Sequence, residues 1–241
     1  MIRRDNDAAF VGVGGAECPP AGSADEVRVA QIVDATDAEG PGRRTAVWVQ
    51  GCTLHCKSCF NPHMWTSRGG RQINRSQLAG DIVNRALAAE CEGITFLGGE
   101  PFEQAAALSE VALNIRDAGL SVMTFTGYTL TDLRRWASQR ADIAGLLAAT
   151  DLLADGPYLV DRPERSRPWV GSTNQRLHAL TERYAGLLTS ISSLPDRVEV
   201  RVGADGTVTV NGWAEADALD ALLVDLRITH RPEHQGTRDG A

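Results

Sequence analysis

Short hydrophobic runs recur along the chain, and most have the two-residue period of a β-strand. Hydrophobic and polar positions alternate over 27–33 and again over 44–50. Compact apolar runs at 94–97, 122–126 and 151–156 each end at or beside a glycine. Turn residues at the ends of short apolar runs are typical of strands, so the pattern predicts five of them.

Helical periodicity separates these strands. Ser76 can cap the first helix, whose apolar residues recur every three to four positions. Gly119 is placed to close the second helix as its first residue beyond the end. Helices are expected at about 77–89, 102–118, 131–136 and 143–149.

Strand and helix therefore alternate from residue 44 to residue 155. This alternation predicts an α/β fold with a parallel sheet, and it places function at the carboxyl edge of the strands. The units are too few for a complete eightfold barrel. An open, partial TIM-type barrel is the expected architecture.

The last third of the chain changes character. A polar loop rich in proline and arginine at 157–168 is an active-site lid, a partner contact or a solvated connection. Ser172 or Thr173 is expected to cap a helix that runs through Tyr184. A β-hairpin at 197–210 and a helix at about 214–226 follow.

These patterns divide the chain into four parts. The division predicts a flexible N-terminal extension at 1–26, a core domain at 27–190, a hairpin and helix appendage at 191–228, and a disordered tail at 229–241.

Composition narrows the classes of function. The 241 residues are 43% hydrophobic and carry a net charge of −7, which suits a globular domain and implies no general affinity for nucleic acid. Neither a membrane span nor a secretory signal is expected. Of the five cysteines, Cys18 is expected to be a spare thiol and Cys91 a small core residue. An odd number of cysteines favours a reducing, cytoplasmic location.

A loop at 51–61 gathers the other three cysteines directly after a predicted strand. Cys52, Cys56 and Cys59 are separated by three and then by two residues. Thiolates at this spacing can converge on one metal centre, and iron–sulfur clusters are held by cysteines at similar spacings. A four-iron cluster would keep one iron without a cysteine, open to a substrate or cofactor. A zinc site with His55 as the fourth ligand is the alternative.

A second polar loop, Gly98-Gly99-Glu100-Pro101, follows the predicted strand at 94–97. Glycine at a strand end lets the backbone approach a ligand closely, because no Cβ intervenes. The carboxylate of Glu100 suits an ammonium group. The tetrapeptide alone is also compatible with an ordinary turn, but its place one strand–helix unit after the cysteines favours a shared site.

Between residues 33 and 184 the chain resembles the anaerobic ribonucleotide reductase activating proteins, a branch of the radical S-adenosylmethionine (SAM) enzymes. One detail favours this branch, because Ser58 precedes the third cysteine and the aromatic Phe60 follows it. The matching pieces are Gly40–Gly42, Gly51–Asn61, Trp65, Gly98–Pro101, Thr126–Tyr128, Asp155–Gly156 and Trp169–Gln175.

The resemblance implies the fold of these enzymes, an open TIM-type barrel of the radical SAM kind, and it implies their chemistry. Cys52, Cys56 and Cys59 would bind a [4Fe-4S] cluster, and its open iron would chelate SAM. Reduction would then cleave SAM to methionine and a 5′-deoxyadenosyl radical, which abstracts a hydrogen atom. The substrate would be a glycine in a glycyl radical enzyme such as anaerobic ribonucleotide reductase. A flavodoxin- or ferredoxin-type protein would donate the electron.

The same resemblance implies which residues contact SAM, and it calls for no catalytic side chain beyond the cluster and SAM. Gly99 and its neighbours would receive the methionine amine, and the segment 58–60 would lie against adenine. Thr126 and Asp155 are candidates for ribose, amine or cation contacts. Asn174 belongs to a polar run suited to a polar ligand. The expected cofactor-binding residues are Ser58, Cys59, Phe60, Gly98, Gly99, Glu100, Pro101, Thr126, Asp155 and Asn174.

Three functions stay open on the sequence. The first is a glycyl radical activase. The second is a stand-alone radical SAM enzyme that modifies a peptide, a nucleotide or another small metabolite. The third is a binding or electron-transfer module that holds a cluster without cleaving SAM. Likeness of fold does not separate them. A short barrel with a wide mouth and no obvious closing domain favours a macromolecular substrate.

Overall fold

The computed structural model describes residues 16–195, 197–203, 206 and 208–212. The helix expected at 214–226 and the tail at 229–241 lie outside these residues, as does most of the N-terminal extension. The described strands are β1 Glu26–Thr36, β2 Arg44–Val49, β3 Arg71–Asn74, β4 Gly93–Gly98, β5 Ser121–Phe125, β6 Leu152–Asp155, β7 Arg176–Ala179, β8 Val198–Val202 and β9 Val208–Gly212. The α-helices are α1 Arg75–Ala88, α2 Ala105–Asp117, α3 Leu130–Ala137 and α4 Ala141–Ala149.

The main sheet has the strand order β3-β1-β2-β4-β5-β6-β7. β2, β4, β5 and β6 pair in parallel, whereas β1 pairs antiparallel with β2 and β3, and β7 pairs antiparallel with β6. The carboxyl ends of the four parallel strands therefore meet at one edge, which is where open α/β sheets bind ligands. Within the described residues no pairing joins β3 to β7, and a TIM-type barrel stays a prediction.

Hydrophobic clusters lie on both faces of this sheet, so its central strands are buried. All six residues of β2 are buried, as expected of a parallel strand that is covered on both sides. One cluster joins the helices to the sheet through fully buried side chains such as Phe96, Phe102 and Leu108. Cys91 is 7% exposed within that cluster, which confirms that it is a core residue.

A buried arginine fixes the opposite edge of the sheet, where the parallel strands begin. Arg44 is fully buried and donates hydrogen bonds to the hydroxyls of Thr95 at 2.7 Å and Ser121 at 2.9 Å. It also donates to the Tyr184 hydroxyl at 3.2 Å, which itself donates to Glu92 at 2.6 Å. Every donor has a partner, so this polar group can lie within the apolar interior.

The helix expected to run through Tyr184 is wrong. Residues 176–179 form strand β7, and a short 3₁₀ turn at Glu182–Tyr184 follows. The alternating side chains Leu177 and Ala179 pack on the sheet, which gives this segment a strand's period. Ser172 does not cap a helix, because its hydroxyl accepts a hydrogen bond from the Leu159 N–H at 3.1 Å.

Two helix starts also differ from the prediction. Asn74 caps α1 in place of Ser76, since its side-chain oxygen accepts from the Ser76 N–H at 3.0 Å and the Gln77 N–H at 3.4 Å. The helix expected from residue 102 begins with a 3₁₀ turn at Pro101–Gln104 before α2. Gly119 closes α2 with a φ of +81°, as predicted.

The predicted hairpin is present as β8 and β9, which form a separate two-stranded antiparallel sheet. It docks beside the end of β1, where the Gly212 N–H donates to Glu39 at 2.7 Å. At the other end of the chain, Arg140 donates to the Pro19 carbonyl at 2.9 Å, so the segment before β1 lies against α4. No described helix has the length and apolar character needed to cross a membrane.

Candidate metal centre

The cysteine loop, residues 51–61, leaves β2 at the carboxyl edge of the sheet and is tied down by its own backbone. The Gly51 N–H donates to the Met64 carbonyl at 2.8 Å, and the Cys52 N–H donates to the Trp65 carbonyl at 3.0 Å. Ser58 has a φ of +60°, a left-handed conformation that a tight loop requires. Backbone hydrogen bonds therefore define the path of the loop between β2 and Trp65.

All three cysteines of this loop line one cleft of about 510 Å³, here called the cysteine cleft. Burial raises the pKa of the Cys52 thiol to about 12, with a further contribution from the nearby Glu100 carboxyl, and burial also raises the pKa of Cys56. Half-buried thiols of this kind lose their protons when a metal cation supplies positive charge. The donor set therefore fits a thiolate-bound metal centre.

A zinc ion and an iron–sulfur cluster place different demands on these cysteines. Zinc needs about four ligands within roughly 2.3 Å of one point. Among the described residues, no three His, Cys, Asp or Glu side chains gather around one such point. Each cysteine of an iron–sulfur cluster can bind a different iron, so the sulfurs stand farther apart. His55, the fourth ligand of the zinc alternative, stacks on the Trp65 ring at 4.8 Å.

The glycine loop, residues 98–101, packs directly against the start of the cysteine loop. Gly99 donates its N–H to the Val49 carbonyl at 2.8 Å, and the Glu100 N–H donates to the Gly51 carbonyl at 2.8 Å. A Cβ on Gly99 would stand 2.2 Å from the Gly51 oxygen, which is too close for any side chain. Contact with the backbone before Cys52 is therefore itself sufficient to require glycine at this position.

Glu100 lines the cysteine cleft and accepts three hydrogen bonds from other groups of the protein. It is 1% exposed and accepts hydrogen bonds from the Phe102 N–H at 3.0 Å, the Thr126 hydroxyl at 2.8 Å and the Gly127 N–H at 2.8 Å. Burial raises its pKa to about 8. The contact of Glu100 with an ammonium group stays a prediction, and in the structure this side chain joins the end of β4 to the end of β5.

Glu103 is a site residue that sequence reasoning missed. It is 8% exposed, and its Oε1 accepts from the Thr53 N–H at 2.8 Å and the Thr53 hydroxyl at 2.6 Å. The Tyr128 hydroxyl donates to the same oxygen at 3.2 Å. An acid near the start of a helix normally suggests a favourable interaction with the helix dipole. Here the carboxylate instead fixes the residue that follows Cys52.

The other predicted residues divide into two groups. Phe60, Gly98, Gly99 and Thr126 line the cysteine cleft, whereas Ser58, Pro101, Asp155 and Asn174 do not. Asp155 accepts from the Leu130 N–H at 2.6 Å, and its other oxygen lies 3.1 Å from His178 Nε2. The Asn174 amide donates to the Pro157 carbonyl at 2.7 Å. Both side chains position the loops that border the cleft.

Aromatic side chains from distant segments line the cleft, and only Phe60 among them was predicted as a site residue. Phe60 is 57% exposed at the cleft and packs against Tyr158, with ring centroids 5.2 Å apart. Trp48, Trp65 and Trp169 line the cleft as well. Aromatic faces of this kind suit a planar base. Only the folding of the chain brings these rings together, since they are spread over more than a hundred residues.

The half-buried thiols at the end of a parallel strand suit a metal-binding class of protein, and comparison with known sequences identifies the class as iron–sulfur. The chain belongs to the family described as the 4Fe-4S single cluster domain, which matches residues 38–178. This span contains all three cysteines of the loop.

Individual relatives carry a more particular name. The chain is 28% identical over 149 residues to the anaerobic ribonucleoside-triphosphate reductase-activating protein of Vibrio cholerae, covering 59% of this chain and 91% of the relative. The protein of that name from Escherichia coli K12 is 28% identical over 148 residues, covering 58% and 91%. That of Enterobacteria phage T4 is 26% identical over 147 residues, covering 59% and 88%. The resemblance predicted from the sequence is confirmed.

Proposed function

We propose that this protein is a radical SAM activase that generates a glycyl radical in an anaerobic ribonucleoside-triphosphate reductase. One observation carries the proposal: in a chain of the 4Fe-4S single cluster family, three cysteines and a Gly-Gly loop line one cleft at the carboxyl edge of parallel strands. The names of the relatives supply the protein substrate.

Each part of the cleft has a task in this proposal. Cys52, Cys56 and Cys59 hold a [4Fe-4S] cluster. With SAM bound and an external protein donor supplying one electron, this group would provide the reductive cleavage of SAM. The Gly99 backbone lines the same cleft as the three cysteines, where it can meet the methionine amine. Phe60 and Tyr158 offer ring faces to adenine, and the apolar walls exclude water from the reacting hydrogen atom.

The test combines reduced, reconstituted protein, SAM and the reductase from the same genome under anaerobic conditions. We expect about four irons per chain bound through three thiolates, release of 5′-deoxyadenosine, and a doublet electron paramagnetic resonance (EPR) signal on the reductase. A flavodoxin- or ferredoxin-type donor should replace the chemical reductant. Cys56→Ala should abolish all of this, and its matched control Cys91→Ala should not. A colourless protein with one zinc per chain would refute the proposal.

A stand-alone enzyme acting on a small metabolite is the second candidate. The cleft of about 510 Å³ has the size of a small-molecule site, and SAM itself would occupy part of it. The hairpin also borders the cleft, so its mouth is narrower than a short barrel alone would leave. If SAM is cleaved but the reductase acquires no radical, this second function takes precedence.

A further inference from the structure

A stretch of the chain without any acidic residue surrounds the three cysteines. The chain has 31 Asp and Glu residues among 241 and a net charge of −7, yet no acid lies between Glu39 and Asp81. The same stretch carries cations, and three of them, Lys57, Arg68 and Arg71, are exposed. The protein is therefore acidic as a whole and basic around the cysteines.

The segment 62–71 lies alongside the cysteine loop. The His55 ring stacks on Trp65 at 4.8 Å, and the Gln50 amide donates to the Thr66 carbonyl at 2.8 Å. These contacts bring the later cations to the side of the molecule that carries the cysteine loop. We call the three exposed cations of this side the cationic face: Lys57, Arg68 and Arg71.

No acidic partner neutralises the cationic face. Among the described residues, none of its three cations forms an ion pair. Other exposed arginines do, since Arg85 lies 2.8 Å from Asp34 and Arg135 lies 2.9 Å from Asp132. Neighbouring cations without internal partners attract an anionic surface.

The cationic face lies outside the cysteine cleft. Cys56 and Cys59 line the cleft, whereas Lys57 between them does not, and neither do Arg68 and Arg71. SAM and the reacting part of a substrate must enter the cleft itself, but an electron can pass through the few residues of the loop. The outer position of these charges therefore favours an electron donor over the substrate as their partner.

We propose that the cationic face docks an acidic electron-donor protein and orients it towards the cysteine loop. The proposal rests on the cluster of the proposed function and identifies where its electron enters. One electron leaves the donor and reduces the cluster, and no atom is transferred. The net charge of the protein repels an acidic donor, so a local positive face favours one orientation of approach.

The test uses full-length, cluster-loaded protein and an acidic flavodoxin as the probe. At low ionic strength Arg68→Glu should raise the Kd for the flavodoxin about tenfold, because a carboxylate then faces the carboxylates of the donor. The difference should shrink at high salt, which screens exposed charges. At limiting reduced flavodoxin, the rate at which the cluster loses its absorbance should fall about tenfold as well. Dithionite is a small reductant that needs no docking, so its reduction of the cluster should stay within about twofold.

Arg71→Glu is a second variant of the same face and should weaken binding in the same direction. Arg183→Glu is the matched control, because it changes the net charge equally at another place. Arg183 is exposed and donates to the Gly119 carbonyl at 3.2 Å, at the edge of the sheet where β5 begins. The control should bind the flavodoxin within about twofold of the unaltered protein.

Several results would overturn the inference. One is unchanged flavodoxin binding in both Arg68→Glu and Arg71→Glu. Another is an equal loss in Arg183→Glu, which would mean that net charge alone matters. Slower reduction of Arg68→Glu by dithionite would show a structural role, and an unaltered protein that does not bind the flavodoxin would have no docking face for it.

Failure of the proposed function looks different. If the unaltered protein takes an electron from the flavodoxin and cleaves SAM but leaves no radical on the reductase, the activase function is wrong and the docking of the donor stands. If Arg68→Glu binds the flavodoxin normally but no longer binds the reductase, the cationic face receives the substrate, and the inference alone is wrong.

Discussion

Buried carboxylates hold the loops around the three cysteines. Glu100 joins the glycine loop to the end of β5, Glu103 holds Thr53, and Asp155 accepts from the Leu130 N–H. Each carboxylate has backbone donors, which offset the cost of burying it. An acid after a strand has the same sequence pattern whether it binds a ligand or a neighbouring loop. Its role depends on which loops are adjacent, and a single sequence does not show that.

Glu103→Ala should loosen the cysteine loop. The change leaves the Thr53 N–H and hydroxyl without their acceptor, at a cost of about 1–3 kcal/mol in the free energy of unfolding. We expect reconstituted protein to lose iron to a chelator several-fold faster, measured from the decay of its brown absorbance. Asp151→Ala removes a buried carboxylate at the opposite edge of the sheet, where it accepts from the Val122 N–H at 2.9 Å, and is the control. Equal rates of iron loss in the two variants would contradict a local role for Glu103.

Gly99→Ala should impair the metal centre as well as SAM binding. The added Cβ would stand 2.2 Å from the Gly51 carbonyl oxygen, so the backbone before Cys52 must shift. We expect both iron content and SAM cleavage to fall. In contrast, Gly80→Ala meets nothing within 4 Å in a helix and should leave both unchanged, with about 0.5–1 kcal/mol of added stability. Full iron content in Gly99→Ala would show that the loops tolerate the side chain.

At the scale of elements, periodicity located the central strands and most helices but not the edges of the sheet. β4 and β6 are short apolar runs with glycine at their ends, and this pattern predicts a strand from the sequence alone. β7 has four residues and becomes a strand by pairing with β6, a contact made over some twenty positions of chain. The polar run at 171–175 before β7 predicts a helix cap wrongly, because Gly, Ser, Thr and Asn are common in turns as well as at helix ends.

The loop at 157–168 is ordered by one carboxylate, and this gives it a pH dependence. Burial alone would raise the pKa of Glu164, but hydrogen bonds from Ser166 and Arg167 lower it to about 2 from the ordinary 4.5. A lowered folded-state pKa stabilises the protein above about pH 4.5, and this contribution is lost as the pH falls towards 2.

Glu164→Gln should therefore reduce the free energy of unfolding by about 1–2 kcal/mol at pH 7. The difference from the unaltered protein should shrink steadily below pH 4.5. Urea unfolding of the apo protein at pH 7, 5 and 3.5 measures it. Glu110→Gln, an exposed position on α2, should give no difference at any of these values. A constant gap at all three would mean that the charge of Glu164 does not contribute.

For the whole molecule, the cleft is assembled from segments far apart in the chain. The cysteine loop, the ends of β4 and β5, the turn at Gly156 and the hairpin all contribute to its walls. The motifs of the first three are local and could be recognised in the sequence. The hairpin has an ordinary turn signal, and its contact with the cleft follows from three-dimensional packing alone.

Such a shared cleft predicts that SAM stabilises the entire fold once the cluster is bound. A ligand at 100 times its Kd adds about 2.7 kcal/mol to the free energy of unfolding, which raises Tm by roughly 5–10 °C for a chain of this size. Anaerobic scanning fluorimetry of the cluster-loaded protein should show this shift with SAM. The shift should be much smaller in Cys56→Ala, because SAM then lacks the open iron, and unchanged in Cys91→Ala. A cluster-loaded protein whose Tm does not respond to SAM would instead support the electron-transfer alternative, since a module that only carries electrons has no reason to bind the cofactor.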